Sequence, residues 1–459
     1  MGSSIFLDFN LPNAATWFYF SLILSVAVFF QFTRLLSLRN LDLLTLFLLA
    51  PGFLVLQEAH GLLEAGSPHA LEGSDAVRAY ERGQRELVMA YAWLVAGCGF
   101  WFVRSIIDLA LIRRPSMTPN LSTPGLAWLG LALFVCLVAV AVRHPNDASE
   151  QALVGKRPIP ISQVKEGATA VVQQAQTEAG TAAPEAEVQF WVERGLALSC
   201  HAAVMAGLLL ISIRHFGDRT AGMAMAGLYV LLPYVGYHVG QFHHVWPAAF
   251  ITWAVFCYRR PVASGWLLGL AAGSSFFPVL LFPLWAGFYA RRGTPRFALA
   301  FLSATVVSVG VVLLILWWDG RAASSLAAAV NLSDWQPWKV PQAESLWTGA
   351  HWAYRLPVFV LYVGFLVGIT VWPSPKNLSH LLALSAAVLI GVQFWYADRG
   401  GVYVLWFLPL VLLMVFRPNL TGHEPPAIEP GVGVLRWAGA AWRKVRGRTA
   451  ASASKELAV

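Results

Sequence analysis

The chain of 459 residues is 57% hydrophobic and only 12% charged, with a mean hydropathy of +0.60, whereas soluble domains carry about 25% charged residues. Apolar runs of about 20 residues, the length that crosses a bilayer, recur from end to end, too many for one soluble core to cover. The net charge of +8 sits in short loops and in the tail, which is the pattern of membrane topology and excludes nucleic acid as the partner.

In chain order the apolar runs fall at 15–33, 41–56, 87–112, 125–142, 190–213, 221–238, 245–257, 262–290, 297–318, 351–372, 378–396 and 401–416. The start, MGSSIFLDFN, lacks a basic region, and no small-residue cleavage site follows the first run, so no cleavable signal peptide is expected. Arg34 and Arg39 follow the first run, Arg113 and Arg114 the third, Arg214 and Arg219 the fifth, Arg259 and Arg260 the seventh. Basic short loops stay in the cytoplasm, which puts the N-terminus outside the cell's inner membrane.

The run 262–290 has arginines at both ends, Arg259 and Arg260 before it and Arg291, Arg292 and Arg296 after it. A single crossing would strand one set outside. Gly265, Gly269, Gly273, Ser274, Ser275, Pro278 and Pro283 weaken or break a helix. The run therefore reads as two short helices in a hairpin, its broken backbone buried in protein. Lys376, Arg417 and the tail then also lie inside. The expected fold is an all-α polytopic membrane protein of about 12–13 transmembrane helices over 1–417, with a basic, Pro-containing cytoplasmic tail over 418–459.

Cys98, Cys136, Cys200 and Cys257 all lie in apolar runs without metal-ligand spacing, so neither disulfides nor zinc fingers are expected. Arg104 and Asp108, four apart, read as an intrahelical pair. Glu193 and Arg194 read as headgroup-reaching residues, and His201 and Tyr234 as hydrogen-bonded packing residues between helices.

Polar residues gather in the segments assigned to the outside, which are the N-terminal stub and loops 57–86, 143–189 and 319–350. Loop 143–189, rich in Ala, Gln, Glu and Thr, reads as a solvated helix or partly disordered excursion. Loop 57–86 carries Glu58, Glu64, Glu72, Asp75, Glu81 and Glu86, and loop 319–350 carries Asp319 and Asp334 among tryptophans that include Trp335. The turn HVGQFHHVWP brings His238, Gln241, His243 and His244, and WYADRGGVYVLW adds Asp398 and Arg399. A tight wet turn is the plain reading of the histidine segment. Carboxylates, imidazoles, an amide and aromatic platforms on one membrane face instead suit a sugar or another polyhydroxylated ligand carried on a lipid.

The stretch 240–292, GQFHHVWPAAFITWAVFCYRRPVASGWLLGLAAGSSFFPVLLFPLWAGFYARR, resembles a block of GT-C membrane glycosyltransferases, in the branch of bacterial polyprenol-phosphate-mannose-dependent mannosyltransferases. Gly240, Gln241, Arg259, Arg260, Gly265, Gly269, Pro278, Pro283, Arg291 and Arg292 carry the likeness, and VYVLWFLPLVLLMVFRP is similar to the family's last span. The resemblance covers about a quarter of the chain. It implies transfer of a mannose-like hexose from a polyprenyl-phosphate donor to an extracytoplasmic lipid or glycan acceptor, with membrane lipids as the surroundings.

It also implies a general base in the first large external loop. Asp75, with Tyr80, matches that pattern, and Glu58 is the second candidate. Arg399, His243 and His244 are the candidates for the departing phosphate, with His238, Gln241, Asp334, Trp335 and Asp398 as further substrate contacts. The lipid-linked sugar is the co-substrate and no other cofactor is called for. No metal motif is visible; a divalent ion on His238, His243 and His244 is the alternative.

The chain departs from the family's pattern in three places. Ser274, Ser275 and Phe276 stand where many relatives have a Lys before a Pro, Val402 and Tyr403 stand where a His is frequent, and an extra span precedes the loop with the acidic candidates. A catalytically inactive GT-C-fold scaffold or lipid-binding protein is the alternative, and a transporter ranks below it.

Overall fold

The computed structural model describes residues 14–65, 74–111, 117–143, 160–178, 183–290, 292–318, 336–338 and 345–425. Among these residues the regular elements are helices, and no strand occurs. In chain order they are α1 (Ala14–Phe29), α2 (Leu38–Thr45), α3 (Ala50–Ala65), α4 (Ser74–Asp108), α5 (Thr123–Arg143), α6 (Pro160–Glu178), α7 (Glu185–Ile211), α8 (Arg219–Leu231), α9 (Pro233–Tyr237) and α10 (Phe242–Phe256). They continue with α11 (Pro261–Ser275), α12 (Phe282–Phe288), α13 (Thr294–Trp318), α14 (Arg355–Val371), α15 (Leu378–Trp395) and α16 (Val404–Phe416).

Seven helices among the described residues are long and apolar enough to cross a membrane. Their outer faces carry apolar stripes at helical spacing: Trp128, Leu131 and Val135 on α5, Leu299, Leu302 and Val306 on α13, and Val360, Val363, Val367 and Val371 on α14, all exposed. Stripes of this kind are unfavourable in water and ordinary against lipid. The chain is a multi-pass helical membrane protein. Fewer helices are long than the number of spans expected, because several runs are interrupted. Pro233 ends the sixth run's helix at Leu231 by forcing Leu232 into extended backbone.

The C-terminal helices form the centre. Every residue of α16 is buried, and almost every residue of α15. Around them, glycines set the closest approaches. A Cβ on Gly265, Gly269 or Gly273 of α11 would collide with the α13 backbone or with Ala300, Ala304 and Ser308. These glycines at four-residue spacing let two helices touch along their length, a role beyond the helix-weakening one expected of them.

The break in 262–290 falls at Phe276, which has a φ of 59, and a short 3-10 turn, Phe277–Leu281, follows. The segment returns to the level at which it started: the Tyr289 hydroxyl donates to the Tyr258 carbonyl at 2.5 Å and meets Ser264 Oγ at 2.8 Å. The broken backbone is buried, with Ser274 and Phe277 covered.

The basic turns share one end of the bundle. His215 Nε2 meets the Phe256 carbonyl at 2.9 Å, Arg292 pairs with Glu424 at 2.8 Å, and Leu378 N donates to the His423 carbonyl at 2.9 Å. Arg104 and Asp108 belong to a larger buried network than the intrahelical pair expected. Arg104 grips both oxygens of Asp42 at 2.8 and 3.0 Å and reaches Asp108 at 3.4 Å, and Arg417 bonds Asp108 at 2.8 Å. Two acids and two bases alternate, so the group is neutral overall and hydrogen-bonded, the condition under which buried charge is tolerated.

The segment 57–86, expected as a loop, is helical apart from the residues outside the description. α3 and α4 run on beyond the apolar stretch as a packed pair, with Gly83 against Ala59 and Leu63. Charged pairs such as Arg82–Glu86 at 2.7 Å support the helix there. In 143–189, α6 packs on α7, α11 and α13. Asp319, Asp334 and Trp335 lie outside the described residues.

Candidate functional site

At the opposite end from the basic turns, two breaks in the chain bring polar side chains together. After α9 the turn 238–241 enters α10, with Gln241 at the N-cap and His243 and His244 in the first turn. Between α15 and α16 the chain reverses through Arg399 (φ 45) and Gly401 (φ 98), backbone that only a tight turn requires. The Gln393 side chain fixes this reversal, its Oε1 accepting from Gly401 N at 2.9 Å.

The two turns meet in a ladder of rings. His238 stacks on His244 at 4.1 Å, His244 on Tyr403 at 5.1 Å, Tyr403 on Trp406 at 4.0 Å, and Trp406 on Phe277 at 3.3 Å. The ladder thus ends on the tip of the broken hairpin. Trp246 closes the side, its Nε1 donating to Ser274 Oγ at 2.8 Å. His238 Nδ1 lies 2.5 Å from Gln241 Oε1, and the Tyr403 hydroxyl donates to Asp398 Oδ2 at 3.4 Å. Arg399 is within electrostatic range of both His238 and His244.

Four buried polar atoms on or beside this ladder have no hydrogen-bond partner among the described residues: His238 Nε2, His244 Nδ1, Gln393 Nε2 and Trp406 Nε1. Each such atom costs about 1–3 kcal/mol when left unsatisfied. Their grouping makes this place a candidate site for a polar ligand. No family model, curated protein or solved structure matches this chain. The site is therefore read from its own chemistry.

Of the residues singled out in the sequence, the structure brings His238, Gln241, His243, His244, Asp398 and Arg399 to one place. Glu58, Tyr80 and Asp75 stand progressively further off. Leu94 marks the level of the ladder on α4, since a Cβ on Gly401 would lie 2.8 Å from Leu94 Cβ. Asp75 precedes Leu94 by nineteen residues of the same helix, about 28 Å at 1.5 Å per residue. Tyr80 precedes it by fourteen, about 21 Å. Glu58 lies six residues beyond Gly52, which packs on Leu94, or about 9 Å along α3. Glu58 is exposed, facing Arg82 at 3.6 Å. Among the described residues no group of three or more His, Cys, Asp or Glu is arranged to hold a metal ion.

Arg194 needs correcting. It does not reach toward headgroups; it is 7% exposed, lies 4.9 Å over the Phe190 ring, and its guanidinium occupies the place where a Cβ of residue 240 would be. Gly240 is glycine because a cation sits against its Cα. Tyr403, Trp406, Gln393 and Trp246 were not picked out as site residues, since as aromatic or amide groups inside apolar runs they look like packing. Only their shared break in the chain distinguishes them.

Proposed function

We propose that this chain is an integral membrane glycosyltransferase of GT-C type. It moves a mannose-like hexose from a polyprenyl-phosphate donor to a lipid or glycan acceptor on the extracytoplasmic side of the inner membrane, with its N-terminus outside and its C-terminus in the cytoplasm. The observation that carries the reading is the ring ladder with Asp398 and Arg399 at its mouth. Stacked aromatic faces suit the apolar faces of a sugar ring, and the unpartnered Nδ1, Nε2 and Nε1 atoms suit its hydroxyls.

In this scheme Asp398 takes the proton of the acceptor hydroxyl. The acceptor oxygen bonds to the anomeric carbon as the bond from that carbon to the phosphate oxygen breaks, and the electron pair leaves with the phosphate. Arg399, His243 and His244 meet the charge that grows on that phosphate. Asp398 displaces Asp75 and Glu58 as the preferred base because it is bonded into the ladder, through Tyr403, whereas Asp75 stands nineteen residues along α4 from the ladder's level.

Asp398→Asn in proteoliposomes is expected to abolish transfer from a synthetic polyprenyl-phosphate mannose, while Asp75→Asn retains it. Full activity in Asp398→Asn would refute the assignment of the base. One observation favours the second reading, a lipid-binding scaffold of the same fold: the acidic residue that matches the family's pattern, Asp75, is remote from the ladder. That reading predicts saturable binding of the polyprenyl phosphate by the wild-type protein with no sugar released or transferred.

A further inference from the structure

The end of the bundle opposite the ladder carries arginine side chains that pair with no described residue. α7 is followed directly by a π turn, Ser212–Phe216, a wider winding than the α-helix, which ends at Gly217 with a φ of 72. Single π turns are uncommon and recur at functional positions. This one presents Arg214 outward and buries His215, whose Nε2 donates to the Phe256 carbonyl at 2.9 Å while Nδ1 is buried without a partner.

Phe256 is the last residue of α10, so this bond ties the π turn to the neighbouring turn, which carries Arg259 and Arg260. Arg214 and Arg260 both lie within electrostatic range of Cys257, and Arg214 and Arg259 of His215. Arg219 follows on the same side, at the start of α8. Among the described residues, the side chains of Arg214, Arg219 and Arg260 make no hydrogen bond, ion pair or ring contact, and all three are exposed. The nearby acid, Asp218, is committed to capping α8 through Ala221 N at 2.9 Å. Clustered like charges repel one another and are retained at a cost.

The surroundings say what neutralises them. Beside the arginines, Ile213, Val262 and Trp266 are large, apolar and exposed. Val262 and Trp266 stand two and six residues past Arg260 along α11, so they lie deeper toward the bilayer. Cations above and apolar side chains below match an amphiphile. A free phosphate would use the cations and make no contact with the apolar side chains below.

We infer that the junction of the π turn and the 257–260 turn binds an anionic phospholipid, with the headgroup phosphate on Arg214, Arg219 and Arg260 and an acyl chain along Val262 and Trp266. The inference does not depend on the glycosyltransferase reading. Basic side chains at the membrane surface each contribute a few-fold to attraction of an anionic lipid.

The test uses the full-length protein in zwitterionic nanodiscs titrated with phosphatidylglycerol, bound lipid being read by native mass spectrometry. The wild-type protein is expected to retain one phosphatidylglycerol in preference to phosphatidylcholine. Arg214→Gln with Arg260→Gln should weaken retention by about thirtyfold, without lowering the melting temperature, because neither side chain has a partner among the described residues. Arg292→Gln, which removes an arginine already paired with Glu424, should leave retention within about twofold. Equal retention of both lipids, or unchanged retention in the double variant, overturns the site. Displacement of the lipid by millimolar inorganic phosphate would reassign it to a soluble anion and also overturn the proposal.

Discussion

Replacing Gly240 by Ala tests the geometry of the site most directly. The new methyl group would overlap Nη1 and Cζ of Arg194 and lie 2.8 Å from its Nε. A normal contact needs about 3.5 Å, so the guanidinium must withdraw by roughly 2 Å. It has little room, being buried and stacked over Phe190 at 4.9 Å. Overpacking costs about 1–3 kcal/mol, and loss of a desolvated cation–π contact can add about 1–2 kcal/mol. We expect Gly240→Ala to lose about 2–4 kcal/mol in unfolding from mixed detergent micelles. The double variant Gly240→Ala with Arg194→Ala should then lose no more than Arg194→Ala alone, because the clash needs both groups. Additive losses, or a Gly240→Ala protein within about 0.5 kcal/mol of wild type, would refute the account of why this position is glycine.

Two further variants probe the scaffold by the same unfolding measurement. Asp108→Asn leaves Arg417 and Arg104 short of a buried counter-charge and should cost about 3–5 kcal/mol; a loss below about 1 kcal/mol would mean that water reaches the network. Gly269→Ala forces a methyl group against the Phe301 carbonyl and Ala304 and should cost about 1–3 kcal/mol. Gly310→Ala, which meets nothing within 4 Å, should be neutral or stabilising. Equal effects at the two glycines would show that helix propensity, rather than contact between α11 and α13, decides them.

What the sequence disclosed depended on how local each signal was. Apolar runs and the arginines that follow them are local, so the spans and the grouping of Arg214, Arg259 and Arg292 at one end could be read from order alone. The break near Phe276 was legible because Pro278 and the serines announce it within a few residues. Arg104 looked satisfied by Asp108 four positions away, and nothing nearby pointed to Asp42, 62 residues distant, as its stronger partner. The same holds for Arg194 and Gly240. Charged segment 57–86 looked like a loop because its composition is that of solvent-exposed sequence, although i,i+4 pairing makes such sequence helical. That misreading also hid how far Asp75 stands from Asp398, since a loop folds back over a site and a helix does not.

The burial of α15 and α16 at the centre has a consequence for how the molecule is made. The two helices that fill the middle follow every other described helix in the chain, so α4 and α10, which pack on them, enter the bilayer before those neighbours exist. A chain stopped at residue 377 is therefore expected to integrate yet remain an open collection of helices, open to proteolysis. Among the described helices, α15 and α16 enter between partners that are already in the bilayer.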